Sequence, residues 1–428
     1  MIIFFGIQSL AGIAFLGGRA AYEFLAIFVL GMVVYWMAFK AGDKYFKIDK
    51  RFLAQEKNDG FFIFCVSSIS FLYFSLILIA LVTAEKVALW EALRGATSFQ
   101  IAEAREMLFR SRSDGRSLLY LSSILSSAFM PYIIMLCFIR KSKMAWPLFT
   151  VFAISLTLSL EKALILKAML PMFLLAANGY VPKRMLYMAP LLAIMTLVGM
   201  NHLARGIDNG ASSGNISVST VDVYFSSGAV DMEATVDNIN FNRRINLRQG
   251  GEMMTLGQHV LKYFPLRGET GLGYLVNRML WIPYITAYDW LKYFNEEMGR
   301  KHAMGSTSLL VSKVAGVEQF PMERNIFAYQ FGLAPGQSAA ANANFLVDGF
   351  INFGYIGVIL LSAFIGFGVA FFKKQHNAAA IACLYFFLFQ LSGGGFLGVL
   401  LGGGLLFFIF LTFVLGPSVD AKDWSDCR

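Results

Sequence analysis

Charged residues are scarce in this chain: they make up 15% of its 428 residues, whereas soluble domains carry about 25%. The apolar residues, 57% of the chain, occur in continuous blocks and not in the alternating ten-residue segments typical of membrane barrels. A helix that crosses a bilayer needs about 20 apolar residues, and its backbone polar groups are satisfied internally. The composition therefore predicts an all-α polytopic membrane protein.

Cysteine and histidine are also scarce, and neither forms a binding pattern. Three of the four cysteines fall in apolar blocks and the fourth in the C-terminal tail, so no disulfide framework is predicted. No cysteine or histidine spacing fits a zinc site. The chain also lacks a Walker loop, a nucleophile elbow, a carboxylate cluster for a metal and a sugar-nucleotide motif. We therefore predict that the protein uses no metal and no cofactor.

The net charge of +9 reflects membrane topology and does not mark a nucleic-acid-binding face. The segments that we predict to be cytoplasmic hold fifteen Lys or Arg against seven Asp or Glu, while the rest of the chain holds twenty-one against twenty. This asymmetry follows the positive-inside rule, which places both termini in the cytoplasm. No nucleic-acid partner is predicted.

About ten transmembrane helices are predicted, within a range of about 10–12. Helices one to seven fall within 1–200, helices eight to ten within 343–416, and a cytoplasmic tail covers 417–428. The first block lacks a basic leader and a cleavage site, so we interpret it as a retained helix. The predicted spans are Ile2–Gly17, Tyr22–Phe39, Phe61–Thr83, Ser117–Ile139, Trp146–Leu160, Ala163–Ala177, Met185–Met200, Phe345–Phe371, Ala378–Leu391 and Val399–Leu415.

Two polar segments are predicted outside the membrane, a loop at 84–116 and a much larger loop at 201–342. Long loops without a function are uncommon, so we expect the larger one to fold over the bundle and to contain short helices. Its aromatic part, 271–294, contains Arg278 and Pro283 among apolar residues. We interpret this part as an interfacial helix or a re-entrant element. If it crossed the membrane instead, one further crossing would be needed to keep Lys373 and Lys374 on the cytoplasmic side.

Arginine is frequent on the predicted outer side. Arginine forms forked, charge-assisted hydrogen bonds to phosphate and stays protonated, so an outward-facing set at the bilayer surface suits the diphosphate head group of a lipid. In the alternative interpretation, each of these side chains pairs with a nearby carboxylate or faces solvent. The set comprises Arg105, Arg112, Arg205, Arg278 and Arg324.

Two lysines near the start of the sixth predicted helix are further candidates for diphosphate binding. Ionisable residues at membrane depth are costly and often functional. Lys162 can instead extend its amine to the membrane surface, whereas Lys167 lies deeper. No general base stands out from the sequence, and the candidate carboxylates are Asp289, Glu323 and Asp348.

The segment Asn342–Gly357 reads NANFLVDGFINFGYIG and leads into the eighth predicted helix. It resembles a segment before a late membrane helix in Wzy-type O-antigen and oligosaccharide repeat-unit polymerases. The matching positions are Asn342, Asn344, Gly354 and Gly357, the third of these in an aromatic-Gly pair. Looser similarity extends to the arginine-bearing loop at 103–116, the polar start of the sixth helix and the aromatic stretch 277–294.

The resemblance implies that a growing glycan leaves undecaprenyl diphosphate and joins a sugar hydroxyl of a lipid-linked repeat unit. It also implies a bacterial cytoplasmic (inner) membrane, contact with membrane lipids and a chain-length regulator protein as a partner. The departing diphosphate needs cations in the transition state. We assign this catalytic role to Arg278 and Arg205, with diphosphate binding by Arg105, Arg112, Arg324, Lys162 and Lys167.

Two alternatives remain open at this point. The related O-antigen ligases have a histidine at the position that aligns with Asn342, and this difference favours a polymerase over a ligase. A flippase or transporter of lipid-linked oligosaccharides would carry polar residues along a path through several helices. The predicted helices here are nearly free of charge apart from Lys167, and no internal repeat is present, which argues against a transporter.

Overall fold

Helices dominate the structure, which is a computed structural model. The structure describes residues 2–46, 59–96, 100–101, 104, 115–158, 164–204, 247–249, 252–254, 262, 277, 281–331, 341–375 and 377–415. The helices of the N-terminal half are α1 (Ile2–Phe15), α2 (Gly18–Tyr45), α3 (Asp59–Thr83), α4 (Ala88–Leu93), α5 (Gly115–Ile124), α6 (Met130–Ile139), α7 (Ala145–Thr157), α8 (Leu164–Ala177) and α9 (Met185–Ala204).

The described C-terminal half contains short helices, three apolar helices and a small hairpin. Its helices are α10 (Ile282–Glu296), α11 (Leu309–Ala315), α12 (Met322–Phe331), α13 (Phe345–Lys374), α14 (Ala378–Ser392) and α15 (Leu405–Val414). Strands β1 (Leu247–Gln249) and β2 (Glu252–Met254) pair in antiparallel fashion, and β1 contacts α12. The short helices expected within the large loop are therefore present, while the hairpin was not predicted.

The structure has apolar helices of membrane-spanning length. Within the described ranges, four helices are long and apolar enough to cross a bilayer: α2, α3, the run Leu118–Ile139 and α13. Five shorter apolar helices of 10–17 residues accompany them. These apolar helices indicate a helical membrane protein. The predicted number of about ten transmembrane helices remains a prediction.

Three predicted spans are less regular than continuous α-helices. The backbone of α13 leaves the helical region at Phe353 (φ −134°, ψ 15°) and Gly354 (φ 63°, ψ −151°), so the predicted helix Phe345–Phe371 is present but is broken at these two residues. A π-helical turn, Leu125–Phe129, separates α5 from α6. Another, Gly398–Gly402, precedes α15, which begins only after Gly404 with its positive φ of 87°.

The chain divides into two compact units. The first unit contains 1–42, 220–368 and 391–398, and the second contains 43–219, 369–390 and 399–428. Each unit therefore combines segments from distant parts of the sequence.

Helix α10 lies in the core of the first unit. Its residues Ile285, Ala287 and Leu291 are fully buried. The ring of Tyr284 packs edge-on against Phe24 at 5.1 Å between centroids, and a Cβ atom on Gly12 would overlap that ring. An interfacial helix would keep one face open to its surroundings, so the described part of 271–294 is packed as a core element.

The core of the second unit is aromatic. The ring of Phe408 packs against Tyr132, Phe372 and Phe387 at centroid distances of 5.7, 5.4 and 5.0 Å. Such pairs add about 0.5–1.5 kcal/mol each beyond burial of their area. The Asn377 side-chain amide donates to the Tyr132 hydroxyl at 2.7 Å, which satisfies the polar end of this buried ring.

Candidate functional site

Polar side chains of the first unit gather around the beginning of α13. Asn344, only 1% exposed, caps this helix, because its Oδ1 accepts a hydrogen bond from the Val347 N–H at 3.0 Å. An asparagine at this position satisfies a backbone donor that has no partner within the helix. The Asn344 Nδ2 atom is buried without a hydrogen-bond partner among the described residues.

Asp348 lies one turn into the helix, and both of its carboxylate oxygens accept hydrogen bonds. The Phe396 N–H donates to Oδ2 at 3.1 Å, and the Asn352 amide donates to Oδ1 at 3.0 Å. A Cβ atom on Gly395 would lie 3.0 Å from Oδ2, so the backbone at 395–396 approaches the carboxylate closely. Asp348 therefore ties the segment before the second π-helical turn to α13.

The break in α13 is closed by the chain at 303–307. The N–H groups of Ala303 and Met304 donate to the carbonyls of Ile351 and Asn352, which are the last carbonyls before the break. The Asn352 Oδ1 atom accepts the Gly305 N–H at 2.9 Å and the Thr307 hydroxyl at 3.1 Å. The unpaired carbonyls of a helix end are thus satisfied by another part of the same unit.

At this break, two positions of the segment Asn342–Gly357 require glycine for geometric reasons. Gly354 adopts a positive φ of 63°, and a Cβ atom there would lie 3.2 Å from Nε2 of His302. A Cβ atom on Gly357 would overlap the carbonyl oxygen of Gly349. Glycine avoids both conflicts because it has no side chain.

Glu323 lies on α12, next to the entry of α13. With the Asn342 amide nitrogen turned toward it, Asn342 donates to both carboxylate oxygens of Glu323 at 3.0 and 3.1 Å. The Ala341 N–H donates to the Glu323 carbonyl at 3.0 Å. Although Glu323 is exposed, desolvation raises the pKa of its carboxyl, and the neighbouring Arg324 guanidinium opposes that rise.

We refer to Thr307, Glu323, Asn342, Asp348 and Asn352 together as the α13 head cluster. Its carboxylates are close enough for the negative charge of Glu323 to act on Asp348. Carboxylates and amides both accept hydrogen bonds, and amides also donate. This set can bind sugar hydroxyls and, where a carboxylate remains accessible, can accept a proton.

A second polar group, formed by Lys262, Asp289 and Gln330, is buried in the same unit. The Lys262 ammonium lies 2.7 Å from one carboxylate oxygen of Asp289, whose side chain is fully buried. Gln330 donates to the other oxygen at 2.9 Å. Since a charge taken out of water needs a partner, this group joins the chain at 262 to α10 and α12.

The predicted site residues have different outcomes. Asn342, Asn344, Gly354 and Gly357 all lie at the head or break of α13 in the first unit. Arg324 is exposed on α12, beside Glu323. Five predicted cations lie outside the described residues, so their predictions stay open: Arg105, Arg112, Lys162, Arg205 and Arg278.

Lys167 lies in the second unit, on α8. It is 5% exposed, and its ammonium donates to the Ser126 hydroxyl at 2.9 Å. Ser126 belongs to the π-helical turn Leu125–Phe129, an irregularity that is often found at functional sites. The structure therefore places this lysine at a buried polar contact, while its role toward a diphosphate stays a prediction.

Several residues of the site were not identified from the sequence. Asn352 had a local signal, since it follows Asp348 by four residues and so lies on the same face of a helix. Lys262, Thr307 and Gln330 had none, because each meets its partner across 27 to 45 residues of chain.

No protein-family model, curated protein or solved structure matches the chain.

Proposed function

We propose that this protein is a membrane-embedded glycosyltransferase that polymerises polysaccharide repeat units on the extracytoplasmic side of a bacterial cytoplasmic membrane. The observation that carries the proposal is the α13 head cluster. The segment that resembles repeat-unit polymerases caps a broken apolar helix and gathers two carboxylates and two amides. Non-helical backbone at membrane depth is tolerated only inside protein or along a cavity, and such breaks provide binding sites in membrane proteins.

The proposed reaction moves a nascent glycan from undecaprenyl diphosphate to a lipid-linked repeat unit, without a metal or cofactor. A diphosphate leaving group gains negative charge in the transition state, so fixed cations lower the barrier. Arg324 is exposed beside the α13 head cluster and is one such cation. Arg278 and Arg205 are proposed as catalytic cations, and Arg105, Arg112, Lys162 and Lys167 as diphosphate ligands.

The proposed topology has about ten spans with both termini in the cytoplasm. This topology rests on the placement of basic residues at the cytoplasmic ends of the helices. Two contacts within the second unit support that placement. Asp43 at the end of α2 lies 3.2 Å from Lys373 and 3.4 Å from Lys374 at the end of α13. These helix ends were predicted to share the cytoplasmic side, and they meet in the structure.

Deletion of the gene tests the proposal. We expect the deletion strain to display single repeat units on its surface, because flipping and transfer to the final acceptor would continue without polymerisation. Long lipid-linked chains that fail to reach their acceptor would indicate a ligase instead, and single units retained in the cytoplasm would indicate a flippase. The control is re-expression of the intact chain, which should restore long chains.

A further inference from the structure

The sequence offered three candidate carboxylates, Asp289, Glu323 and Asp348, and one of them can act on a substrate. The buried Asp289 is excluded first, because its oxygens are held by Lys262 at 2.7 Å and by Gln330 at 2.9 Å, and its side chain is fully buried. A substrate hydroxyl has no access to that carboxylate.

Asp348 is excluded for a similar reason. One oxygen accepts the Phe396 N–H and the other accepts the Asn352 amide, and the close backbone of Gly395 covers the first of them. These bonds hold α13 and the 395–396 segment together. If Asp348 took a proton, the carboxyl group would lose part of its capacity to accept hydrogen bonds.

Glu323 differs from both carboxylates in its surroundings. It is exposed, and its described side-chain partner is the Asn342 amide, which orients the carboxylate without neutralising it. Helix α12 is fixed at this position and again near its C-terminal end. The Ala341 N–H binds the Glu323 carbonyl, and the Tyr329 hydroxyl donates to Glu296 of α10 at 2.8 Å.

We propose that Glu323 is the general base of this site and accepts the proton of the sugar hydroxyl that attacks the donor glycan. This role rests on the polymerase function proposed above. The hydroxyl oxygen bonds to the anomeric carbon of the donor as the bond from that carbon to the diphosphate oxygen breaks. The proton passes to Glu323, and undecaprenyl diphosphate leaves with the bonding electron pair.

The environment of Glu323 suits this role. Desolvation, which raises its pKa, makes the ionised carboxylate a stronger proton acceptor than a fully solvated glutamate, and general bases gain efficiency in this way. The Asn342 amide fixes the carboxylate orientation. Arg324, the next residue in the chain, favours the ionised form of Glu323 through its positive charge.

The test uses purified full-length protein and lipid-linked single repeat units extracted from the deletion strain. Wild type, Glu323→Gln and Glu318→Gln are compared by the initial rate at which two-unit products form, with thermal unfolding as a check on folding. Glu318 is an exposed carboxylate of the same unit, so its substitution removes the same charge without touching the cluster.

General base catalysis contributes about 10²–10⁴-fold, so we expect kcat of Glu323→Gln to fall by that factor, with little change in KM and an unchanged rate for Glu318→Gln. A folded Glu323→Gln variant within about threefold of an active wild type would overturn the role of Glu323 and leave the polymerase function intact. An inactive wild type would instead remove the polymerase function, and the base with it.

If Glu323→Gln does not fold, Glu323→Asp decides the question, because it keeps the charge and retracts the carboxylate by one methylene. We expect its kcat to fall about tenfold or more, as misplacing a catalytic group by about 1 Å costs up to about 10²-fold. A wild-type kcat in this variant would overturn the proposal.

Discussion

The two units of the molecule treat their polar side chains differently. In the second unit, polar groups make isolated bonds within an apolar bundle, such as the Tyr73 hydroxyl to Ser155 at 2.8 Å and the Asn377 amide to Tyr132 at 2.7 Å. In the first unit, carboxylates and amides share partners, so that Asn352 alone contacts Thr307, Asp348 and Gly305. The aromatic core of the second unit has the character of a scaffold, whereas the α13 head cluster of the first unit has that of a site.

This contrast implies that equal changes in stability should have unequal effects on activity. Changes in the first unit alter the geometry of the α13 head cluster and the segments that hold it. Changes in the aromatic core of the second unit should lower stability while each folded molecule keeps its rate, because no role in the reaction is proposed for those side chains. The following substitutions test this difference.

The largest effect on stability is expected from Asp289→Ala in the first unit. It would leave the Lys262 ammonium, whose side chain is 8% exposed, without its carboxylate. Breaking a buried ion pair in this way costs about 3–5 kcal/mol of unfolding free energy. Thermal unfolding of the detergent-solubilised protein should show a lower midpoint.

The matched control for that substitution is the double variant Lys262→Met with Asp289→Leu. Replacing both charges with apolar groups of similar size removes the uncompensated charge and is often neutral or stabilising. If the single variant were as stable as wild type, the buried pair would not be what holds the chain at 262 against α10.

A smaller effect is expected from Gly354→Ala at the break in α13. A non-glycine residue at φ 63° and ψ −151° costs about 1–3 kcal/mol, and the new Cβ would press on His302. Both the unfolding midpoint and the polymerisation rate should fall, because the break positions the α13 head cluster.

Gly368→Ala provides the comparison within the same helix. A Cβ atom there meets nothing within 4 Å, and alanine in a helix is favoured over glycine by about 0.5–1 kcal/mol. This variant should be slightly more stable and fully active. Equal behaviour of the two alanine variants would show that the break has no special role.

A loss of stability with no change in the rate of each folded molecule is expected from Asn377→Ala in the second unit. Its Oδ1 accepts the Ala380 N–H at 2.9 Å, so the substitution removes the cap of α14 at a cost of about 0.5–2 kcal/mol. It also leaves the buried Tyr132 hydroxyl without its amide donor, which adds about 1–3 kcal/mol. Asn178→Ala, which removes an exposed amide at the end of α8, should change the unfolding midpoint less. A loss of specific activity in Asn377→Ala would contradict the scaffold role of the aromatic core of the second unit.

Part of the candidate site was accessible from the sequence. The segment 342–357 was identified as a functional element, and its residues do lie together at the head of α13. The break at Phe353 and Gly354 was not predicted, because isolated glycines in an apolar run of helical length do not by themselves indicate where a helix breaks. The choice among Asp289, Glu323 and Asp348 was also not possible, since it depends on which carboxylate is already held by another part of the chain.

Apolar block length and the distribution of charge determined the class of this protein, because the cost of burying backbone and charge in lipid depends on local composition. Tertiary structure alone decided which polar groups meet. The partners of Asp289 come from 27 and 41 residues away, and the loop partner of Asn352 comes from 45 residues away. Contacts over such distances arise from packing, which no local pattern of residues encodes.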